Sequence, residues 1–104
     1  MNKERLLTML GFAMRAGMLC IGTDQVIALM PRRGALRLVV VTEDSSEATR
    51  SRVISKAGYY GINAHIIAIT KDELGSAIGK DYSPACVGIK DEGFAEQIIR
   101  AINP

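Results

Sequence analysis

Apolar residues recur along this chain with two alternating periods, one helical and one extended. Leu6, Leu10, Ala13, Met14 and Gly17 fall at helical spacing, which predicts a helix from about Lys3 to Ala16 with Gly17 as its stop. Met18 to Ile21 reads as a short strand. Gly22 or Thr23 then caps a second helix that turns Val26, Leu29 and Met30 inward; Pro31 and the pair Arg32-Arg33 end it, with Gly34 as the turn. The stretch Leu36 to Thr42 contains the continuous run Leu38-Val39-Val40-Val41, the pattern of a central strand buried on both faces.

The alternation continues to the C-terminus. Asp44 or Ser45 is placed to cap a third helix that runs to about Tyr60, with Val53, Ile54 and Ala57 inward, Arg50, Arg52 and Lys56 outward, and Gly61 closing it. Ala64 to Ile69 is a third strand. Thr70-Lys71-Asp72-Glu73 is a capping box that opens a short helix with Leu74, Ala77 and Ile78 on its apolar face. Gly79 to Pro84 is a turn-rich loop, Ala85 to Ile89 the last strand, and Asp91 caps a final helix carrying Phe94, Ala95, Ile98, Ile99 and Ile102. Strands alternating with helices predict an α/β fold: a three-layer α/β/α sandwich around a four-stranded sheet with about five helices. There is no repeat, low-complexity stretch or linker, so residues 1–104 read as one domain. The pattern leaves the strand order open.

Composition narrows the function classes. A net charge of +2 permits a local basic patch but does not itself argue for nucleic acid, and aromatics at 5% without Trp speak against a broad base-stacking platform. Cys20 and Cys86 are far apart among apolar residues, with neither zinc nor redox spacing, and read as buried reduced thiols. No stretch approaches transmembrane length and no signal-peptide core follows Met1, so the expectation is a cytoplasmic protein without membrane contact.

The motifs of catalysis are missing. The chain has no Gly-x4-Gly-Lys-Ser/Thr loop and no Gly-x-Gly-x-x-Gly fingerprint. Its single histidine, His65, starts a predicted strand with no partner at catalytic spacing, and reads as structural. Helix capping explains the carboxylate pairs Glu43-Asp44 and Asp91-Glu92. Tyr59 and Tyr60 read as core and helix-end packing, while Tyr82 lies in a loop and is free to be exposed. Nothing assembles a nucleophile, a base and an oxyanion site, so no enzyme, metal or cofactor is expected.

A binding surface is a better fit. Gly22-Thr23-Asp24-Gln25 opens a helix directly after an apolar stretch, and the unpaired amides of such a terminus can hold a phosphate. If the fold brings this turn beside the Glu43-Asp44 loop and the Gly79 to Pro84 loop, they form one surface of amides, carboxylates, Lys80 and an aromatic ring. That chemistry suits bent RNA with splayed bases: Asp24 and Gln25 for base edges, Tyr82 for an unstacked base, and Arg32, Arg33 and Lys80 for phosphates. Arg15 and Arg37 are explained equally well as solvated surface charges.

At this point the sequence resembles the kink-turn-binding, ribosomal-protein-type RNA-binding family, most closely its small bacterial branch of YlxQ-like proteins. The resemblance covers nearly the whole chain. It rests on Leu10-Gly11-Phe12-Ala13-Met14-Arg15-Ala16-Gly17, Ile21-Gly22-Thr23-Asp24-Gln25-Val26, Arg33-Gly34 and Leu38-Val39-Val40-Val41-Thr42-Glu43-Asp44-Ser45-Ser46. It continues in Glu73-Leu74-Gly75-Ser76-Ala77-Ile78-Gly79 and Asp91-Glu92-Gly93-Phe94-Ala95. It implies an α/β/α sandwich that grips the bent internal loop of a kink-turn. The family's second helix opens with Gly, a small residue, Asn and Glu, followed one turn later by Lys; the Asn and Glu read sheared G·A pairs and the Lys supports phosphates or base edges. Gly22 and Thr23 match, whereas Asp24 stands for Asn, Gln25 for Glu and Ala28 for Lys. Asp cannot donate, Gln lacks a charge, and Ala removes a cation. Each lost polar contact costs about 1–3 kcal/mol, and two or three move a nanomolar binder to about micromolar. Glu43 and Asp44 match the family's acidic loop, and Lys80 to Pro84 occupy the loop that carries apolar contacts to a flipped base.

The expectation is therefore a non-enzymatic protein that binds structured RNA, ribosomal RNA among the candidates, with ribosomal or translation proteins as further partners. Its site residues are Gly22, Thr23, Asp24, Gln25, Arg33, Glu43, Asp44, Lys80 and Tyr82. The alternative is a protein-interaction module on the same fold with weakened or altered RNA recognition.

Overall fold

A computed structural model describes all residues, Met1–Pro104. Nine elements alternate: α1 (Lys3–Arg15), β1 (Leu19–Ile21), α2 (Thr23–Leu29), β2 (Leu38–Thr42), α3 (Glu47–Tyr59), β3 (Ala64–Ile67), α4 (Lys71–Ala77), β4 (Cys86–Ile89) and α5 (Glu92–Ile102). Local side chains start most of the helices. Asn2 accepts from the Arg5 amide at 3.1 Å, Asp91 accepts from the Phe94 amide at 3.0 Å, and Thr70 and Glu73 form the reciprocal capping box expected for α4. The cap of α3 is Ser46, not Asp44 or Ser45: its hydroxyl accepts from the Thr49 amide at 3.1 Å. Ser45 is buried and donates its hydroxyl to the Thr42 carbonyl at 2.7 Å, and Asp44 turns to a different helix.

The strands form one mixed sheet in the order β1-β4-β2-β3. β4 runs antiparallel to both neighbours, pairing Leu19 and Leu38 with Ile89 on either side, while β2 and β3 are parallel. The two inner strands are buried along their whole length, as their uninterrupted apolar runs require. Alternation along β2 divides the core in two. Leu38 and Val40 join Leu6, Leu10, Val87, Ile89 and Ile98 under α1, α4 and α5; Val39 and Val41 join Val26, Met30, Val53 and Cys86 under α2 and α3. Helices on both faces of the sheet make the three-layer α/β/α sandwich. No helix is long and apolar enough to cross a membrane.

Four side chains sit otherwise than the sequence predicts. α3 buries only a narrow stripe, Val53 and Ala57, because it lies at the β3 margin of the sheet. Ile54 therefore faces outward, 37% exposed, and shares an open groove with Ile66 of β3. Tyr59 and Tyr60 are not core: they lie at the end of α3, 77% and 42% exposed, with their rings packed edge to face at 4.9 Å. Cys86 is buried but Cys20 only partly so, and both are free. Burial pushes both thiols up, Cys86 to about 12, so neither carries a thiolate at neutral pH.

Leu10→Ala empties a fully buried position and is expected to cost about 2–5 kcal/mol in urea unfolding, against less than about 1 kcal/mol for Ile54→Ala. Glu73 tests the pH dependence. The Lys3 ammonium and then the Thr70 amide hold its carboxyl below the ordinary value of 4.5. A depressed carboxyl contributes stability above the unfolded value, and that contribution is lost as pH falls through the lower folded value. Glu73→Gln should therefore be less stable than wild type near neutral pH, with the gap closing below about pH 4; an equal gap at both pH values would count against this role.

Candidate nucleic-acid interface

Sheet topology decides which loops meet. β1, β2 and β3 finish, and β4 begins, at the same end of the sheet. That end gathers the start of α2, the Glu43–Ser46 turn, the start of α4 and the Gly79–Ala85 loop. Backbone bonds tie them together: Gly22 N–H to the Cys86 carbonyl at 2.9 Å, Thr42 N–H to Ala85 at 2.9 Å and Glu43 N–H to Ile67 at 3.0 Å. The three segments expected to share an edge do so.

The candidate side chains other than Arg33 have definite places on this loop edge. Gly22 is the N-cap of α2 at φ +101°, a conformation that favours glycine, and it lacks a side-chain cap bond. Gln25 folds back over it: a Cβ at Gly22 would sit 2.6 Å from the Gln25 Oε1. Asp24 is exposed and accepts from the Arg52 guanidinium of α3 at 2.9 Å. An exposed pair of this kind contributes about 0–1 kcal/mol to stability. Its larger effect is local, since it places a cation against the one carboxylate at the α2 start.

The acidic turn is mostly a structural clamp. The Asp44 carboxylate accepts from the Lys71 amide at 3.0 and 3.2 Å, so it satisfies a free N–H at the head of α4 rather than at α3. Arg50 of α3 donates to the Glu43 carbonyl at 3.0 Å and to the Ser45 carbonyl, which fixes the turn from the other side. The Glu43 side chain is left exposed. Sequence spacing gives no sign of the Arg52 contact, because it joins α3 to α2, 28 residues away, whereas Arg50 reaches only the turn before its own helix.

The last loop is held from below. Lys80 N–H bonds to the Gly75 carbonyl at 2.9 Å, Ser83 donates to the Asp72 carboxylate, and Pro84 is buried. Gly75 lies directly under the Tyr82 carbonyl, where a Cβ would collide with it. The loop is thus braced while its Tyr82 ring stays 53% exposed, in position to act as a stacking surface.

Arg33 is not part of this edge. It follows the C-terminal end of α2, in the turn that leads to Arg37, whose N–H bonds to the Ile89 carbonyl at 2.8 Å at the opposite end of the sheet. β2 alone separates the two ends by roughly 16 Å. Nowhere do three His, Cys, Asp or Glu side chains come together to hold a metal ion. The open groove beside Glu47, Arg50, Ile54 and Ile66 lies on the outer side of α3, apart from the Tyr82 loop.

The chain and its fold are similar to known proteins. The model of the Ribosomal protein L7Ae/L30e/S12e/Gadd45 family matches residues 4–99. The chain is 33% identical over 96 residues to the RNA-binding protein YlxQ of Enterococcus faecium, covering 92% of this chain and 89% of that protein. It is 34% identical over 95 residues to the RNA-binding protein YlxQ of Bacillus subtilis (strain 168), covering 91% and 92%. Among solved structures, a protein of unknown function from Bacillus halodurans C superposes with a TM-score of 0.87 at 31% identity, covering 96% of this chain and 98% of that one. The Giardia lamblia 15.5kD RNA binding protein superposes with a TM-score of 0.79 at 14% identity, covering 97% and 84%, a likeness of fold.

Gly75→Ala should force the Tyr82 carbonyl away and cost about 1–3 kcal/mol in urea unfolding. Amide exchange should speed up first in the Gly79–Ala85 loop; an unchanged exchange pattern would remove Gly75 as its brace.

Proposed function

The chain belongs to the ribosomal protein L7Ae/L30e/S12e/Gadd45 family, and from that premise we propose that it is a non-enzymatic RNA-binding protein that recognises structured, kink-turn-like RNA. The observation that carries this reading is the gathering of the α2 start, the Glu43-Asp44 turn and the Tyr82 loop at one end of the sheet. It is supported by the names of the two YlxQ relatives, each described as an RNA-binding protein. Ribosomal RNA and the translation machinery of the cytoplasm are the proposed setting.

The residues divide the work in this reading. Gly22 and Thr23 allow the RNA backbone to come close, with the Gln25 amide folded over Gly22 as the group that meets it. Gln25 offers a donor and an acceptor to a base edge, and Tyr82 offers a ring to a splayed base. Lys80 meets phosphate. Asp24 is read with its arginine: Arg52 offsets the charge that would repel a phosphate and keeps further N–H donors free. Glu43 is free to accept from a base amino group, while Asp44 acts indirectly by tying the turn to α4.

One observation favours a second reading, a protein-interaction module. Asp24 and Asp44 are both engaged within the protein, and Ala28 presents no cation one turn into α2.

The test is titration of a standard kink-turn RNA at low and moderate salt, with a duplex lacking the internal loop as control. The expected result is loop-dependent binding that weakens steeply with salt, tightened about tenfold or more by Ala28→Lys with Asp24→Asn and weakened by Tyr82→Ala. Failure of both the wild type and the double variant to prefer the looped RNA would transfer the lead to the interaction module.

A further inference from the structure

The net positive charge of this protein is not on the loop edge, where Arg50, Arg52, Lys71 and Lys80 stand among at least as many carboxylates. Arg15, Arg32, Arg33, Arg37 and Lys90 come from three separate stretches of chain, the end of α1, the α2–β2 connection and the end of β4. The sheet register brings them to its opposite end. Leu19 and Leu38 both pair with Ile89, so the start of β1, the end of β4 and the start of β2 stand in one row. Lys90 N–H bonds to the Met18 carbonyl at 2.8 Å and Arg37 N–H to the Ile89 carbonyl at 2.8 Å, which sets these two cations on neighbouring strands. Three residues separate Arg15 from the start of β1, and the Arg37 guanidinium reaches back to within 3.9 Å of where a Cβ of Gly34 would stand, next to Arg33.

All five cations are exposed, and four of them are arginines. Two carboxylates share this end. Asp91 spends its charge on the Phe94 amide, and Glu92 stands 3.7 Å from Arg37. Arg32, Arg33 and Lys90 make no side-chain hydrogen bond or ion pair, and Arg15 lies over the exposed Phe12 ring at 4.9 Å. With five of the 13 basic and two of the 11 acidic residues, this end carries a net +3 while the rest of the molecule sums to −1. The field is therefore directed: a polyanion is drawn to this end, away from the loop edge.

We infer that this basic end is a second RNA-contact surface, one that holds the phosphodiester backbone of a duplex stem without reading its sequence. Arginine forks match phosphate oxygens in pairs, and a row drawn from three chain stretches matches a line of phosphates better than a single small anion. The exposed ring beside these cations, Phe12, lies under the Arg15 guanidinium, and no groove runs among the five to select bases, so shape and charge do the recognising. The loop edge and the basic end face opposite ways on a body of 31 × 28 × 26 Å, so the two surfaces engage different RNA segments. The chain then acts as a bridge that grips one segment by its bases and another by its backbone.

The experiment uses a fully paired RNA stem with no internal loop, titrated into the full chain from about 50 to 200 mM salt. Wild type should bind with a steep log–log salt dependence. Arg32→Gln with Arg33→Gln and Arg37→Gln should weaken binding at least tenfold and make the slope shallower by about 2–3, since each lost phosphate contact removes about 0.9. Arg100→Gln, an exposed cation in the last turn of α5 that belongs to neither surface, should leave stem binding unchanged. Arg33→Gln alone, at an exposed position without a partner, gives the same effect on a smaller scale if the triple variant is unstable. Equal binding and slope in wild type and Arg33→Gln, or an equal loss on Arg100→Gln, would overturn the inference. So would poly-glutamate binding with the same dependence on these arginines, which would make the surface a site for acidic protein. Looped-RNA preference is scored separately, so failure of either surface leaves the other's result intact.

Discussion

The structure depends on the burial of β2 and β4 from water on both faces. A strand in that position has no solvent to satisfy its amides and carbonyls, so each must find a neighbouring strand on both sides. β4 meets the requirement by inserting antiparallel between β1 and β2, although it is the last strand made. That placement fixes more than the core. It sends the ends of β1, β2 and β3 to one end of the sheet and brings the loop before β4 back to meet them. The same register carries the ends of α1 and β4 and the start of β2 to the other end. Both candidate surfaces are thus consequences of where one short apolar strand finds its hydrogen bonds.

What could be read from the sequence was whatever is settled within a few residues. The helix stops at Gly17 and Gly61, the Thr70–Glu73 capping box, the Asp91 cap and the buried run Leu38–Val41 all stand as their local patterns predict. Errors arose where two local solutions compete or where distance matters. Asp44, Ser45 and Ser46 are all acceptable caps for α3. The choice was made by Lys71, an amide 27 residues later that needed an acceptor and took Asp44. Ile54 sits at correct helical spacing for burial, but α3 lies at the sheet margin and has no surface there to cover it. The candidate site was legible as a set of loops but not as a set of contacts. Arg33 was grouped with the loop edge by charge alone, and only the register separates them.

Engagement of side chains within the loop edge changes what this edge can offer. Asp44 and Arg50 hold the turn after β2, Asp72 and Gly75 hold the loop before β4, and Arg52 is turned toward Asp24. A surface braced in this way loses little conformational entropy when it binds, which favours affinity from a small contact area. It also means that substitutions at the braces act on the shape of the surface rather than on a contact with the ligand. Gly75 and Asp44 belong to this class, whereas Gln25, Lys80 and Tyr82 present their polar or aromatic groups outward.

Separation of charge from base-reading chemistry has a physical advantage for a small protein. A loop edge crowded with cations would bind any phosphate backbone that reached it, and its preference for an internal loop would be diluted by the far larger number of ordinary stems. In the proposed reading, Arg52 offsets Asp24 at the α2 start, so discrimination there would rest on hydrogen bonds and stacking. The attraction that speeds encounter is placed at the far end, behind Arg32, Arg33, Arg37 and Lys90. An orientation with the basic end against one stem leaves the loop edge facing outward, toward a second segment. In the proposed arrangement, the absence of a cation at Ala28 gives up affinity at the loop edge in exchange for selectivity there, and the basic end supplies the electrostatic hold.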